Sequence, residues 1–178
     1  MDLIEAARQG SETAFLKLFD EHRLPLFRFA YRMTGSVADA EDVVQECFLE
    51  LLRPGCSYDP AATPIRTYLF GVVRNQSLKR LGKAVKPYQG ERAASPDASP
   101  EGQVLRVELE EAVARAVIDL PEGLKEVLIL AHYEQMAIAE IARVLEIEST
   151  TVKSRLQRAR AQLRDTLAAY ATSMERTR

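Results

Sequence analysis

Residues 133–164 read YEQMAIAEIARVLEIESTTVKSRLQRARAQLR. Two sets of apolar residues in this segment recur at intervals of three and four, the spacing of one face of an α-helix. The first set is Ile138, Ile141, Ala142 and Leu145, and the second is Val152, Leu156, Ala159 and Leu163. A short polar break at Glu146–Thr151 separates them, and Ser149 is a suitable N-cap for the second helix. The segment therefore predicts two helices joined by a tight turn, a helix-turn-helix.

The second helix of this pair is strongly basic. Its cationic residues are Lys153, Arg155, Arg158, Arg160 and Arg164. No acidic residue lies between Ser149 and Arg164. A recognition helix places its N-terminal residues on base edges and its free backbone N–H groups on phosphate. The pattern favours a DNA-reading helix, and the alternative is a solvated basic face on an ordinary bundle helix.

Composition limits the possible classes of protein. The chain has 178 residues, 47% of them hydrophobic, which suffices for one or two small domains. It has no apolar run long enough to cross a bilayer and no secretory signal at its N-terminus, so we expect a cytoplasmic protein without membrane contact of its own. The two cysteines and two histidines show no metal-binding spacing. We also find no phosphate-binding glycine loop, HExxH motif or catalytic triad, so we predict no enzyme, no metal and no cofactor.

The N-terminal half contains a second charged helix, predicted over Val37–Leu52 and capped by Ser36. One side is a wide apolar stripe that includes Cys47. The other side is acidic and carries no base. Its polar residues are Asp39, Glu41, Asp42, Gln45, Glu46 and Glu50. From charge alone, a solvated face is the simpler interpretation, and a docking surface for a basic partner is the alternative.

Further helices are predicted at Leu3–Gln9, Glu12–His22, Leu26–Thr34 and Ile65–Lys83. Pro25 is allowed near the start of a helix, and Gly35 suits a left-handed helix end. The Ile65–Lys83 segment has five bases and no acid. Cations interleaved with aromatic rings are typical of single-stranded DNA binding, although Phe70 is more simply explained as a core residue.

Periodicity disappears over Gly82–Gly102, which is rich in proline, glycine, serine and alanine. We interpret this segment as a flexible linker. The predicted architecture is all-α, with two small helical domains at residues 1–83 and 103–178, a linker at residues 84–102, and the helix-turn-helix in the second domain.

Two motifs resemble one known family. Residues 39–49, DAEDVVQECFL, resemble the conserved helix of sigma-factor domain two, and residues 140–160, EIARVLEIESTTVKSRLQRAR, resemble domain four. Leu120-Pro121 opens the second domain as in that family. The order of the motifs, the linker between them and the lack of a third domain are similar to the extracytoplasmic-function (ECF) sigma factors of the sigma-70 family. The resemblance covers nearly the whole chain.

The resemblance implies a function and a set of residues for each of three surfaces. Such proteins direct the bacterial RNA polymerase core to promoters and aid promoter opening. Residues expected to bind polymerase are Asp39, Glu41, Asp42, Gln45 and Glu46. Residues expected near the −10 element are Arg66, Thr67, Tyr68, Arg74, Asn75, Lys79 and Arg80. Residues expected to read the −35 element are Thr150, Thr151, Lys153, Ser154, Arg155, Gln157 and Arg158. The implied partners are the clamp helices of the largest polymerase subunit, the flap of the second-largest subunit, promoter DNA and an anti-sigma factor.

Three positions depart from the family pattern. Tyr68 replaces a usual Trp, Glu146 stands where the turn often has Gly, and Thr151 replaces a frequent Gly. A left-handed backbone at Glu146 would be costly. Two other classes of protein remain possible on the residues alone. One is a helix-turn-helix regulator that binds DNA independently of polymerase, and the other is an adaptor that uses both domains only for protein contacts.

Overall fold

The computed structural model describes residues 3–81 and 100–177, with side-chain positions for residues 3–81 and 109–169. Its helices are α1 (Leu3–Arg8), α2 (Glu12–Thr34), α3 (Val37–Leu52), α4 (Ile65–Leu81), α5 (Pro100–Ile118), α6 (Glu122–Leu128), a π-helical turn (Ile129–Tyr133), α7 (Ile138–Leu145) and α8 (Ser149–Thr177). No strand occurs within the described ranges. The all-α prediction is therefore confirmed.

The N-terminal domain is built on α2, α3 and α4. Phe29 of α2 meets Phe70 of α4 edge to face, with ring centroids 5.5 Å apart, and both rings are buried. Such a pair stabilises a core by about 0.5–1.5 kcal/mol beyond its buried area. Cys47 of α3 is also fully buried, and burial raises the pKa of its thiol to about 12. The predicted core role of both Phe70 and Cys47 is confirmed.

The boundary between α2 and α3 follows the predicted capping residues. Gly35 ends α2 with a left-handed backbone at φ 70°, and its N–H donates to the Tyr31 carbonyl oxygen at 2.7 Å. The Ser36 hydroxyl oxygen then accepts from the Asp39 N–H at 3.3 Å and starts α3. Two adjacent residues therefore turn the chain and satisfy groups that the helix ends leave free.

The prediction of separate helices at Glu12–His22 and Leu26–Thr34 is wrong. They form one helix, α2, with Pro25 in its interior. Proline removes one backbone donor there and normally kinks or breaks a helix. Leu18, Leu26 and Phe29 are all buried on the two sides of Pro25. Tertiary packing of this apolar face against α3 and α4 outweighs the local cost of the proline.

The C-terminal domain contains the predicted helix-turn-helix. α7 packs against α8, and Ile141 and Leu145 are buried together with Val152 and Leu156. The second helix begins at Ser149, the predicted cap, and therefore starts one residue earlier than predicted, because the Glu148 carbonyl already accepts from the Val152 N–H at 3.1 Å.

Glu146 ends α7 in the left-handed region, at φ 55° and ψ 43°. The Ile147 N–H then reaches back to the Ala142 carbonyl at 3.0 Å, which closes the turn as in a Schellman motif. Glycine is the usual residue at such a position because it has no Cβ. The turn therefore has the left-handed backbone that glycine usually supplies, although Glu146 carries a Cβ.

The two domains contact each other. α4 packs against α7, and α2 packs against α5, α6 and the π-helical turn. α5 begins at Pro100, before residue 103, the predicted start of the second domain. Most of the predicted linker, residues 84–99, lies outside the described residues, as do the last two residues of the predicted Ile65–Lys83 helix.

Candidate nucleic-acid interface

The N-terminal half of α8 has one buried side and one open side. Val152, Leu156 and Ala159 face the core. None of the seven residues predicted to read the −35 element is buried. Thr150, Lys153, Gln157 and Arg158 are exposed, whereas Thr151, Ser154 and Arg155 are half-buried. An α-helix with its side chains is about 10–12 Å across, which fits the DNA major groove, about 12 Å wide.

Arg155 differs from its neighbours because it already has an anionic partner. Its NH1 group donates to Glu126 Oε1 at 3.4 Å. The guanidinium lies over the start of α6 at Gly123, where a Cβ would come within 3.3 Å of the same nitrogen. The exposed cations Lys153 and Arg158 make no ion pair in the described part of the chain.

The residues predicted to lie near the −10 element occupy different environments on α4. Asn75 and Lys79 are exposed. Thr67 is 5% exposed and therefore belongs to the core in this conformation. Tyr68 is half-buried, with its ring 4.9 Å from that of Tyr58.

Tyr68 also has a polar partner. Its hydroxyl lies 3.2 Å from Cys56 Sγ. Burial, followed by the hydrogen bond and the charge of Cys56, raises the pKa of Tyr68. The side chain is therefore neutral at any pH in the cell, and part of its surface is already packed against Tyr58 and Cys56.

Arg66 and Arg74, also on α4, point to the C-terminal domain. The NH2 group of Arg66 donates to the Glu134 carbonyl oxygen at 2.5 Å. Two nitrogens of Arg74 donate hydrogen bonds to the Glu126 carboxylate, at 2.6 and 3.3 Å. The Glu126 side chain is only 2% exposed, so this is a buried ion pair between domains.

Arg80, the last residue of the predicted −10 set, belongs to α4, but its side chain contacts the acidic side of α3. Its guanidinium contacts Asp39 at 3.7 Å, Asp42 at 3.2 Å and Glu46 at 2.6 Å. Three carboxylates around one guanidinium leave the cluster negative. Glu41 and Gln45 are exposed beside it. All five predicted polymerase-binding residues therefore lie on one exposed surface, together with Arg80, which the family resemblance places near the −10 element.

Leu49 was not among the predicted site residues. Its side chain lies one turn beyond Gln45 and Glu46 on α3 and is 67% exposed. An exposed large apolar residue beside a charged surface is a frequent feature of protein contacts. The sequence carries one signal for this residue: Leu49 lies outside the apolar stripe of the helix and is therefore expected to be exposed.

Two negative observations apply to the described residues. They contain no group of three or more His, Cys, Asp or Glu side chains that could hold a metal ion. None of their helices is both long and apolar enough to span a bilayer.

These features define a class of protein: a two-domain helical DNA-binding protein that has a basic recognition helix in one domain and a separate acidic surface in the other. Comparison with known proteins makes the class specific. The family model described as Sigma-70 region 2 matches residues 18–86, and that described as Sigma-70, region 4 matches residues 110–163.

Full-length relatives agree with the family models. The ECF RNA polymerase sigma factor SigW of Bacillus subtilis is 27% identical over 177 residues, which cover 92% of this chain and 94% of that protein. The ECF RNA polymerase sigma factor SigL of Mycobacterium tuberculosis is 34% identical over 162 residues, covering 89% and 92% respectively. Among solved structures, CnrH in complex with the cytosolic domain of CnrY is 28% identical, with a TM-score of 0.72 over 94% of this chain and 96% of that one.

The chain therefore belongs to the sigma-70 family, as an ECF sigma factor that directs RNA polymerase to promoters. A helix-turn-helix regulator that acts independently of polymerase is not favoured, because the region 2 match extends the likeness to the N-terminal domain.

Proposed function

We propose that this sigma factor uses three separate surfaces: the acidic face of α3 for polymerase, the start of α8 for the −35 element, and α4 for the −10 element. The observation that carries the proposal is the two-sided character of α8. Val152, Leu156 and Ala159 bury one side, while Lys153 and Arg158 are exposed on the other without an anionic partner among the described residues.

The start of α8 suits duplex DNA for two physical reasons. The first-turn N–H groups of a helix have no intrahelical partner and carry partial positive charge, so they bind phosphate. Exposed side chains along the next two turns then reach base edges in the major groove. Phosphate contacts give affinity, and contacts from Lys153, Gln157 and Arg158 to base edges select the sequence.

α4 suits the unpaired strand of the opened promoter. Asn75 and Lys79 are exposed there, and Arg66 and Arg74 add positive charge on the same helix. Captured bases lower the free energy of the open state, so strand separation needs no ATP. The chain contributes binding energy to initiation and performs no chemical step of its own.

The acidic face of α3 suits a basic partner surface on polymerase. Asp39, Asp42 and Glu46 are held around Arg80, and Glu41 extends the negative surface. Exposed ion pairs contribute little to stability, so Arg80 mainly limits where the three carboxylates lie. Complementary charge steers association, and the exposed Leu49 adds apolar contact area.

Two further parts of the proposal rest on the relatives. CnrH was solved with the cytosolic domain of CnrY. We infer that this chain also binds a protein partner, an anti-sigma factor that holds it inactive until a signal arrives. We also infer that the protein acts in the cytoplasm, where polymerase and promoters meet.

Transcription in vitro tests the polymerase and −35 assignments. Core polymerase with the protein is incubated on genomic fragments, and transcript ends are mapped. Replacing Arg158 with Ala should lower promoter-specific initiation 5- to 150-fold, since a bidentate base contact discriminates by about 1–3 kcal/mol. Polymerase binding should persist. Arg115→Ala is the matched control, because it removes one exposed arginine on α5, far along the chain from the reading helix.

The docking surface has its own test. Glu41→Lys should weaken pull-down of core polymerase, whereas Asp20→Lys, at an equally open position on α2, should not. No promoter-dependent transcript from the unaltered protein would refute the proposed function. Loss of polymerase binding in Arg158→Ala would show that the surfaces are wrongly assigned.

A further inference from the structure

The second residue of α6 is a glycine, Gly123, that the backbone conformation does not require. Gly10, Gly35 and Gly55 have a positive φ, which favours glycine, whereas Gly123 lies in a regular helical turn. Within a helix, glycine is less favourable than alanine because it loses more conformational freedom on folding. The lack of a side chain at Gly123 therefore has another physical reason.

The space beside Gly123 holds the guanidinium of Arg155. A Cβ at this position would lie 3.3 Å from Arg155 Nη1, 3.4 Å from Cζ and 3.8 Å from Nε. These three atoms are the nearest neighbours of such a Cβ, and all of them belong to the same planar group. A methyl group at Gly123 would therefore push the guanidinium away from α6.

Glu126, one turn further along α6, contacts the same guanidinium. Its Oε1 atom accepts from Arg155 Nη1 at 3.4 Å, and its side chain is only 2% exposed. Arg74 also donates to this carboxylate. Gly123, Glu126 and Arg155 all belong to the C-terminal domain, so their contacts need no residue of the other domain. We call Gly123 and Glu126 the Arg155-binding site.

Arg155 lies at the edge of the reading surface of α8. Val152 and Leu156 are buried on one side, and Lys153 and Arg158 are exposed on the other, whereas the Arg155 side chain is 30% exposed. A side chain at this edge faces the sugar-phosphate backbone that borders the major groove. The bond to Glu126 uses one guanidinium N–H, and the remaining donors suit the oxygens of a phosphate.

We propose that Gly123 and Glu126 are positioning residues that hold the Arg155 guanidinium in place for a phosphate of promoter DNA beside the −35 element. This inference rests on the proposed function, because it assigns the start of α8 to that DNA. A side chain that is already ordered loses less rotamer entropy on binding, so the same contact gives a higher affinity. Lys153 and Arg158 still select the sequence.

Gly123→Ala is the decisive variant. Alanine is the better helix former, so the melting temperature should not fall. Binding of promoter DNA should nevertheless weaken about 2- to 12-fold, which is the cost of ordering one long side chain. In an Arg155→Ala background the same substitution should have no further effect on DNA binding. A glycine with only a structural role would not show this dependence on Arg155.

The assay uses the full chain with core polymerase and a promoter fragment identified by the mapped transcripts. Filter binding gives the affinity over a range of salt concentrations. Arg155→Ala should reduce the slope of log affinity against log salt by about 0.9, the value for one phosphate contact. Gly123→Ala keeps the charge of Arg155, so it should lower the affinity without changing this slope.

Glu126→Gln is the second variant, with Glu122→Gln as its control. Both remove one negative charge from α6, but Glu122 is exposed and Glu126 is buried against Arg155. General electrostatics predicts that either change tightens DNA binding. The positioning role predicts weaker binding for Glu126→Gln alone, and no such loss when Arg155 is absent. Unchanged or tighter binding by Glu126→Gln, or an equal loss for Gly123→Ala with and without Arg155, would overturn the proposal.

Nitrogen-15 NMR of the full chain tests the positioning without any DNA. The Arg155 Nε–H signal is assigned by its loss in Arg155→Ala. It should be ordered in the unaltered protein and mobile in Gly123→Ala and Glu126→Gln; a mobile signal in the unaltered protein would overturn the proposal. If this signal is ordered but no promoter-specific transcript forms with core polymerase, the proposed function fails. If the transcript forms and the variants bind the promoter normally, only the positioning role fails.

Discussion

Replacement of Glu146 by Gly should stabilise the helix-turn-helix without altering its reading surface. Glu146 has a left-handed backbone at φ 55° and ψ 43°, and its side chain is exposed. A residue with a Cβ pays roughly 1–2 kcal/mol in that conformation. Glycine avoids this cost but loses about 0.5–1 kcal/mol through the greater freedom of the unfolded chain. The midpoints of the two ranges give an expected net gain of about 0.75 kcal/mol in the free energy of unfolding.

The control for this prediction is Glu146→Ala. It removes the same carboxylate, which lies at the C-terminal end of α7 and near the start of α8, but it keeps the Cβ. The difference between the two variants therefore isolates the backbone contribution from the charge. Urea unfolding followed by circular dichroism gives the free energies. In thermal unfolding the glycine variant should melt about 1–4 °C above the alanine variant.

The result that would refute this reasoning is a glycine variant no more stable than the alanine variant. That outcome would mean that the turn is not left-handed in solution or that its strain is relieved elsewhere. Promoter-specific transcription should be unchanged in both variants, because Glu146 lies outside the residues assigned to DNA. A loss of transcription with Glu146→Gly would show that the turn residue also orients the recognition helix.

Three further measurements test other features of the structure. Burial raises the pKa of Glu134 in the folded state. Its contribution to the free energy of unfolding is therefore fully present below about pH 4.3, the pKa in the unfolded chain. That stabilisation is lost as the pH rises through the folded-state pKa. Glu134→Gln should therefore have a higher melting temperature than the unaltered protein at neutral pH, and the difference between the two melting temperatures should disappear on acidification. A difference that grows on acidification would contradict the prediction. Burial raises the pKa of Cys47 to about 12, so iodoacetamide should modify this thiol only after unfolding. The half-buried Cys56 should react first, and mass mapping of the labelled peptides distinguishes the two cysteines. Leu51→Ala should cost about 2–5 kcal/mol in urea unfolding, since Leu51 is fully buried, and exposed Leu49→Ala is the matched control.

The helix boundaries could be read from the sequence wherever local rules decide them. Ser36 starts α3 and Gly35 ends α2 because their side-chain and backbone chemistry satisfies the free groups at helix ends. Pro25 is an exception. A local rule placed a helix start there, but burial on both sides of the proline keeps α2 continuous. Packing energy from distant residues is not visible in a local pattern.

The sequence predicted the solvent exposure of the proposed DNA-binding residues only in part. Periodicity separated the buried and open sides of α8 correctly, because its apolar and basic residues alternate with a clear helical period. α4 lacks such a clear division, and Thr67, which the family resemblance places near DNA, lies in the core. The sequence also could not show that Tyr68 already packs against Tyr58.

By itself, the sequence determined the all-α class, the helix-turn-helix and the presence of one acidic and two basic helices, because helical period, caps and charge are properties of neighbouring residues. Only the tertiary structure decided which charges meet. Arg74 reaches Glu126 across 52 residues of chain, and Arg80 reaches Asp42 across 38. Pairings at such separations depend on how whole helices pack, and that arrangement minimises the free energy of the entire chain rather than of any segment.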